Sequence, residues 1–117
     1  MSSCLRSILC FVFVLVLPLD GVCGDATHEI EHLLKFVESS GCIFIRNETE
    51  HKPEEARKHL ARKYAYAKKR IKSGEDFVEL LASKSSMTGK PYRVNCQGEL
   101  RLSRDWFYEE LAVFRAR

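Results

Sequence analysis

The sequence predicts an α+β domain in which about four helices pack on a small, mainly antiparallel three-stranded sheet held by one disulfide. Three observations predict it. Apolar residues recur at helical spacing in several separate segments. Short β-branched or aromatic runs stand between them, around 42–46 and 92–96. Only two cysteines, Cys42 and Cys96, follow an N-terminal run that reads as a leader.

The leader comes first in the chain. Arg6 supplies a positive start, and Ser7 to Leu17 is a continuous apolar run. It matches a signal-peptide core of about 7–15 residues and falls short of the roughly 20 a membrane span needs. Pro18, Asp20 and Gly21 break it, and Val22 and Gly24 sit at −3 and −1 of a cut before Asp25. Residues 1–24 are thus predicted to be a cleavable signal peptide and 25–117 a single domain, with no transmembrane segment after cleavage. Acylation at Cys23 requires a leucine and small residues before it; Asp20, Gly21 and Val22 match poorly, so a lipoprotein is not expected. Cleavage removes Cys4, Cys10 and Cys23, and the remaining even pair in an exported chain predicts a Cys42–Cys96 bridge. A loop of that length is worth about 4 kcal/mol in the chain-entropy account.

Thr27 is read as the cap of a first helix carrying Ile30, Leu33, Leu34 and Val37 on one stripe, with Gly41 as its stop. Residues 42–46 form a strand, and Asn47 to Glu50 a turn containing an Asn-x-Thr sequon. Pro53, Glu54 and Glu55 open a second helix to about Lys72, with a seam of Ala56, Leu60, Tyr64, Ala67 and Ile71. Ser73 caps a third helix burying Phe77, Leu80 and Leu81, and 84–90 is a loop. Tyr92, Val94 and Cys96 alternate as in a half-buried strand, Gln97 and Gly98 make a tight turn, and 99–102 completes a hairpin. Ser103 caps a last helix bearing Trp106, Phe107, Leu111 and Phe114.

The charge balance excludes little. With Arg6 and Asp20 set aside from the 19 basic and 16 acidic residues, the balance remains +3. That does not point to nucleic acid, and no cofactor or metal is implied. His28, Glu29 and His32 match the zinc-protease pattern His-Glu-x-x-His literally. At about 100° per residue, however, both histidines fall opposite the apolar stripe and are expected to face water, and no third ligand follows at the usual spacing.

The second helix gives a better candidate. His59, Lys63, Tyr66 and Arg70 follow one another at steps of 4, 3 and 4 beside the buried seam, and eight Lys or Arg stand between Pro53 and Lys72. A solvated face complementing the helix dipole accounts for most of this; a surface for an anionic partner is the functional reading. In the 83–92 loop, Gly89 and Lys90 lack the glycines and hydroxyl of a phosphate loop, and no nucleophile elbow is present. Thr88 to Tyr92 echoes the Ser-Gly-x-x-Tyr loop of bacterial lysozyme inhibitors, which are largely β proteins.

The runs SGCIFIRN (40–47), EARKHLARKYAY (55–66), SGEDF (73–77), ASKSS (82–86) and GKPY (89–92), with Cys96, resemble the YfeK-like family of small exported bacterial proteins. That family carries a domain of unknown function. The resemblance implies a periplasmic setting and assigns no reaction, cofactor or catalytic residue. Its recurrent polar positions correspond here to Ser40, Arg46, Asn47, His59, Lys63, Tyr66, Ser85, Ser86, Lys90 and Tyr92. Glu48 stands where Gly is expected, Gly74 where Ala is, and Thr88 where Ser is.

The reading is a non-enzymatic periplasmic binding or accessory domain. Its contact surface is Arg46, His59, Lys63, Tyr66 and Arg70 with Ser85, Ser86, Lys90 and Tyr92, facing an anionic envelope component or a periplasmic protein. The alternatives are an inhibitor of a cell-wall hydrolase and a small enzyme. The enzyme would need a concave pocket holding His59 or Tyr66 beside a second titratable group.

Overall fold

The structure, a computed structural model, describes residues 26–117; the predicted leader lies outside them. Helix α1 (26–39) is followed by β1 (Ile43–Arg46), β2 (Thr49–His51) and α2 (Pro53–Ala67), which tightens into a 3₁₀ turn at Lys68–Arg70. Then come α3 (Gly74–Phe77), continued by a wider π-helical turn at Val78–Ala82, and β3 (Arg93–Cys96), β4 (Glu99–Leu102) and α4 (Ser103–Arg115). The fold is α+β with four helices, as predicted, but the antiparallel sheet has four strands, in the order β2-β1-β3-β4.

The added strand is β2. The turn read over 47–50 is only two residues long. Asn47 and Glu48 have φ of 52° and 67°, the left-handed pair that a tight hairpin uses, so pairing begins at once with Arg46 opposite Thr49. Glu48 pays for that conformation where Gly would not. Gln97 and Gly98, with φ of 56° and 90°, make the equivalent turn between β3 and β4.

Ile43 opposite Asn95 puts Cys42 opposite Cys96, and the two are disulfide-bonded with their Cα atoms 4.5 Å apart. Phe44 and Val94 lie on the same face as this bridge and pack, buried, with Ile30, Leu33, Phe77 and Phe107 in one core. The opposite face carries Ile43, Ile45, Leu100 and Leu102, half-buried to exposed.

Four local readings change. Thr27 lies inside α1 and not at its cap. Ser103 is the first residue of α4, and its buried hydroxyl donates to the Ala82 carbonyl at 2.9 Å instead of capping. Leu80 is exposed, because the π-turn rotates Val78, Leu81 and Ala82 inward in its place. Tyr64 is only partly buried, while Ala56, Leu60, Ala67 and Ile71 form the buried seam.

Candidate functional site

Helix α2 positions the candidate site. Pro53 starts it, Glu54 and Glu55 occupy its first turn, and the Glu55 carboxylate accepts from the Lys52 amide at 3.2 Å. Its seam seats against β1 and the π-turn, leaving His59 and Lys63, one turn apart, half-buried at the edge of the core. Tyr92 meets them there from the chain entering β3. Its amide donates to the Ser83 carbonyl and its carbonyl accepts from the Ser103 amide, each at 2.9 Å, which fixes where the ring points.

The three side chains form one polar chain. Lys63 Nζ donates to the Leu81 carbonyl at 2.8 Å, an acceptor left open at the end of the π-turn, and to Tyr92 Oη at 3.2 Å. It also lies 5.1 Å from the Tyr92 ring centroid. Tyr92 Oη stands 3.4 Å from His59 Nε2. With Lys63 donating to Tyr92 Oη, the phenol's own proton is free to be given to His59 Nε2.

Burial, followed by Arg46, Lys63, Arg62 and His51, lowers the His59 pKa to about 4. Burial and then Arg46 lower that of Lys63, and burial raises that of Tyr92. Arg46, the last residue of β1, therefore acts on all three groups. His59 and Tyr92, but not Lys63, border a cleft of about 30 Å³ with Phe44 and Leu60 among its apolar walls and Arg46, His51, Glu55 and His59 among its polar ones. That volume holds a water molecule or the tip of a single functional group, and is far below the roughly 300 Å³ of a small-molecule pocket.

The loop residues divide. Tyr92 alone joins the cluster. Ser85, 5% exposed, accepts from the amides of Met87 and Thr88 at 3.2 and 3.3 Å and from Asn47 Nδ2 at 3.3 Å. Thr88 Oγ1 donates to Asn47 Oδ1 at 2.6 Å, and Lys90 Nζ lies 3.7 Å from Glu48. Ser85 and Lys90 therefore hold the loop on the β1–β2 turn, directly beside Arg46, while Ser86 is exposed. Tyr66, 93% exposed, and Arg70, also exposed, stay outside the cluster. Only the first half of the α2 stripe reaches the cleft. Tyr92 is 7% exposed, so the Thr88–Tyr92 run does not offer its tyrosine for insertion into another protein.

The zinc-protease pattern dissolves into packing. His28 is exposed, but His32 does not face water as expected. Its ring stacks on Phe114 with centroids 4.1 Å apart, and Nε2 lies 2.6 Å from Glu110. Glu29 receives two hydrogen bonds from Arg115, at 2.6 and 2.9 Å. Helix α4 packs along the flank of α1 that carries Glu29, His32 and Phe36, which the spacing within α1 alone does not reveal.

Two participants escaped the sequence reading. The Leu81 carbonyl becomes available only through the π-turn. His51 reaches the cleft because β2 pairs it with Phe44, and the shortness of the Asn47-Glu48 turn was its one sequence signal.

A family of unknown function, DUF5329, matches residues 24–115. "Uncharacterized protein YfeK" of Salmonella typhimurium (strain LT2) is 36% identical over 92 residues, covering 75% of this chain and 77% of that protein. No solved structure matches the chain significantly. The span of the family match and the YfeK identity agree: this chain belongs to the DUF5329 family, with YfeK as a relative.

Proposed function

We propose that this protein is an exported, non-enzymatic binding domain whose cleft at Arg46, His59 and Tyr92, backed by Lys63, receives one anionic group of an envelope partner. The observation that carries this is the absence of an ion pair at Arg46, on the cleft wall, and at Lys63 behind it. Among the described residues neither Arg46 nor Lys63 has a carboxylate partner, whereas the half-buried Arg57 and Arg101 are both ion-paired. Arg46 on the cleft wall, with Lys63 behind Tyr92 and neither ion-paired among the described residues, suits a carboxylate or phosphate oxygen; the one carboxylate on the wall, Glu55, lies 3.6 Å from His51.

A concave site holding His59 beside a second titratable group does exist, which is what catalysis would ask for. Its proton affinities argue the other way. A base with a pKa of about 4 is weak at neutral pH, and a phenol whose pKa is raised is a poor acid. The apolar run at 7–17 and the disulfide support export.

The test is an NMR titration of the isotope-labelled protein with acetate and, separately, inorganic phosphate, following the His59 ring and the Arg46 side chain. Saturable shifts with at least one anion are expected, weakened about tenfold or more in Arg46→Ala and in Lys63→Met. Non-saturating shifts with both anions, or variants that bind as well as the parent, would overturn the reading.

A further inference from the structure

We propose that the outward face of α2 and its 3₁₀ extension docks on the surface of an anionic lipid bilayer. Between residues 57 and 72 the chain has eight Lys or Arg and no Asp or Glu. Lys58, Arg62 and Tyr66 fall within an arc of about 80° on the side of the helix away from its seam. All three are exposed, as are Lys68, Lys69 and Arg70 where the helix tightens. None of these cations is ion-paired among the described residues, whereas Arg93, Arg101, Arg104 and Arg115 are. Among the described residues Lys35, Lys52, Lys84 and Arg117 are unpaired too but are scattered along the chain, not gathered on one helix.

The charge on this side of the molecule is left unbalanced over about 20 Å of helix, room for several head groups. Tyr66 stands in its middle, 93% exposed. Cations flanking an outward tyrosine is the composition of an interfacial face, where the ring settles among head groups and the cations pair with phosphates. A protein partner would call for a buried apolar centre with a pocket, and the apolar residue between these cations on the outward side is only Ala65.

The experiment is co-sedimentation of the full chain with two vesicle preparations at about 50 mM salt: phosphatidylcholine alone, and phosphatidylcholine with about 30 mol % phosphatidylglycerol. The readout is the anionic-to-zwitterionic partition ratio. Taking the ratio cancels the apolar contribution of the run at 7–17, and the preference that Arg6 adds for the anionic vesicles is the same in the parent and in every variant. The parent should prefer the anionic vesicles. Arg62→Glu with Lys69→Glu should cut the ratio at least about 25-fold, about fivefold for each cation removed. Both positions are exposed, so the core is untouched; Tyr66→Ala should lower the ratio severalfold, and about 0.5 M salt should abolish the parent's preference without any substitution. Lys63→Met should leave the ratio within about twofold, which separates this reading from the one about the cleft. Equal partition of the parent between the vesicles, an unchanged ratio in the double variant, or preferential capture of the parent by poly-glutamate would overturn it, the last in favour of an acidic protein.

Discussion

Two corners of this small domain handle charge in opposite ways. Where α1, α3 and α4 meet, Arg115 is gripped by two carboxylates. It donates to Glu29 at 2.6 and 2.9 Å and to Glu75 at 2.7 and 2.8 Å. Glu29 is 8% exposed, and Gly74 lies so close that a β-carbon there would come within 2.7 Å of its Oε1. Where α2 meets Tyr92, Lys63 is satisfied only by a carbonyl and a phenol, and Arg46 by no acid among the described residues. The first corner spends its charges on joining helices. The second leaves Arg46 and Lys63 without ion pairs beside a half-buried cleft, and the proposed anion binding relies on that.

The largest perturbation should not discriminate between the corners. The bridge from Cys42 to Cys96 spans 54 residues and ties β1 to β3, the strands that lie between them. Its reduction should lower unfolding free energy by about 4 kcal/mol, measured by urea titration with and without reductant. Loss of cleft order alone, with α1–α4 contacts intact by hydrogen exchange, would show that the corners unfold independently.

Side-chain truncation should separate them. Arg115→Ala strands the buried Glu29 carboxylate and should cost about 2 kcal/mol. Lys63→Met removes a half-buried cation that has no acidic partner, and should change stability by less than about 1 kcal/mol while weakening anion binding. Equal costs in urea would dissolve the distinction.

Acid sharpens it further. His59 has a folded pKa of about 4 against 6.5 ordinarily, so below pH 6.5 the unfolded chain takes up the proton that the folded chain refuses. Stability from this corner is full above pH 6.5 and is lost as pH falls toward 4. The loss is about 1 to 2 kcal/mol once solvent screening of a half-exposed ring is allowed for. Hydrogen bonds from Arg115 hold the Glu75 pKa at about 2, below its usual 4.5, so its contribution survives to pH 4.5 and fades from there toward 2. Thermal melts against pH should therefore show two successive losses, and His59→Gln should erase only the upper one.

Local chemistry made much of this legible beforehand. Helical spacing identified the buried faces of α1, α2 and α4, and the turn at Gln97 and Gly98 was recognised from its residues. The fourth strand was hidden because Thr49, Glu50 and His51 form a polar edge with no apolar alternation to announce it. The site was half legible. His59 and Lys63 were placed together from their position beside the α2 seam, but Tyr66 and Arg70, set on the same stripe, do not reach Tyr92. Helix position says which way a side chain points and not whether another element waits there.

The sequence by itself determined the four helices in order, three of the four strands, most of the buried helix faces and the pairing of Cys42 with Cys96, because each depends on near-neighbour spacing or on a count. Only the tertiary structure decided that Tyr92 meets His59 and Lys63, that Arg115 claims Glu29, and that His32 packs under α4. Those contacts join residues 29 to 86 positions apart. Which distant partners meet depends on how whole layers stack around the shared core, and no local periodicity encodes that choice.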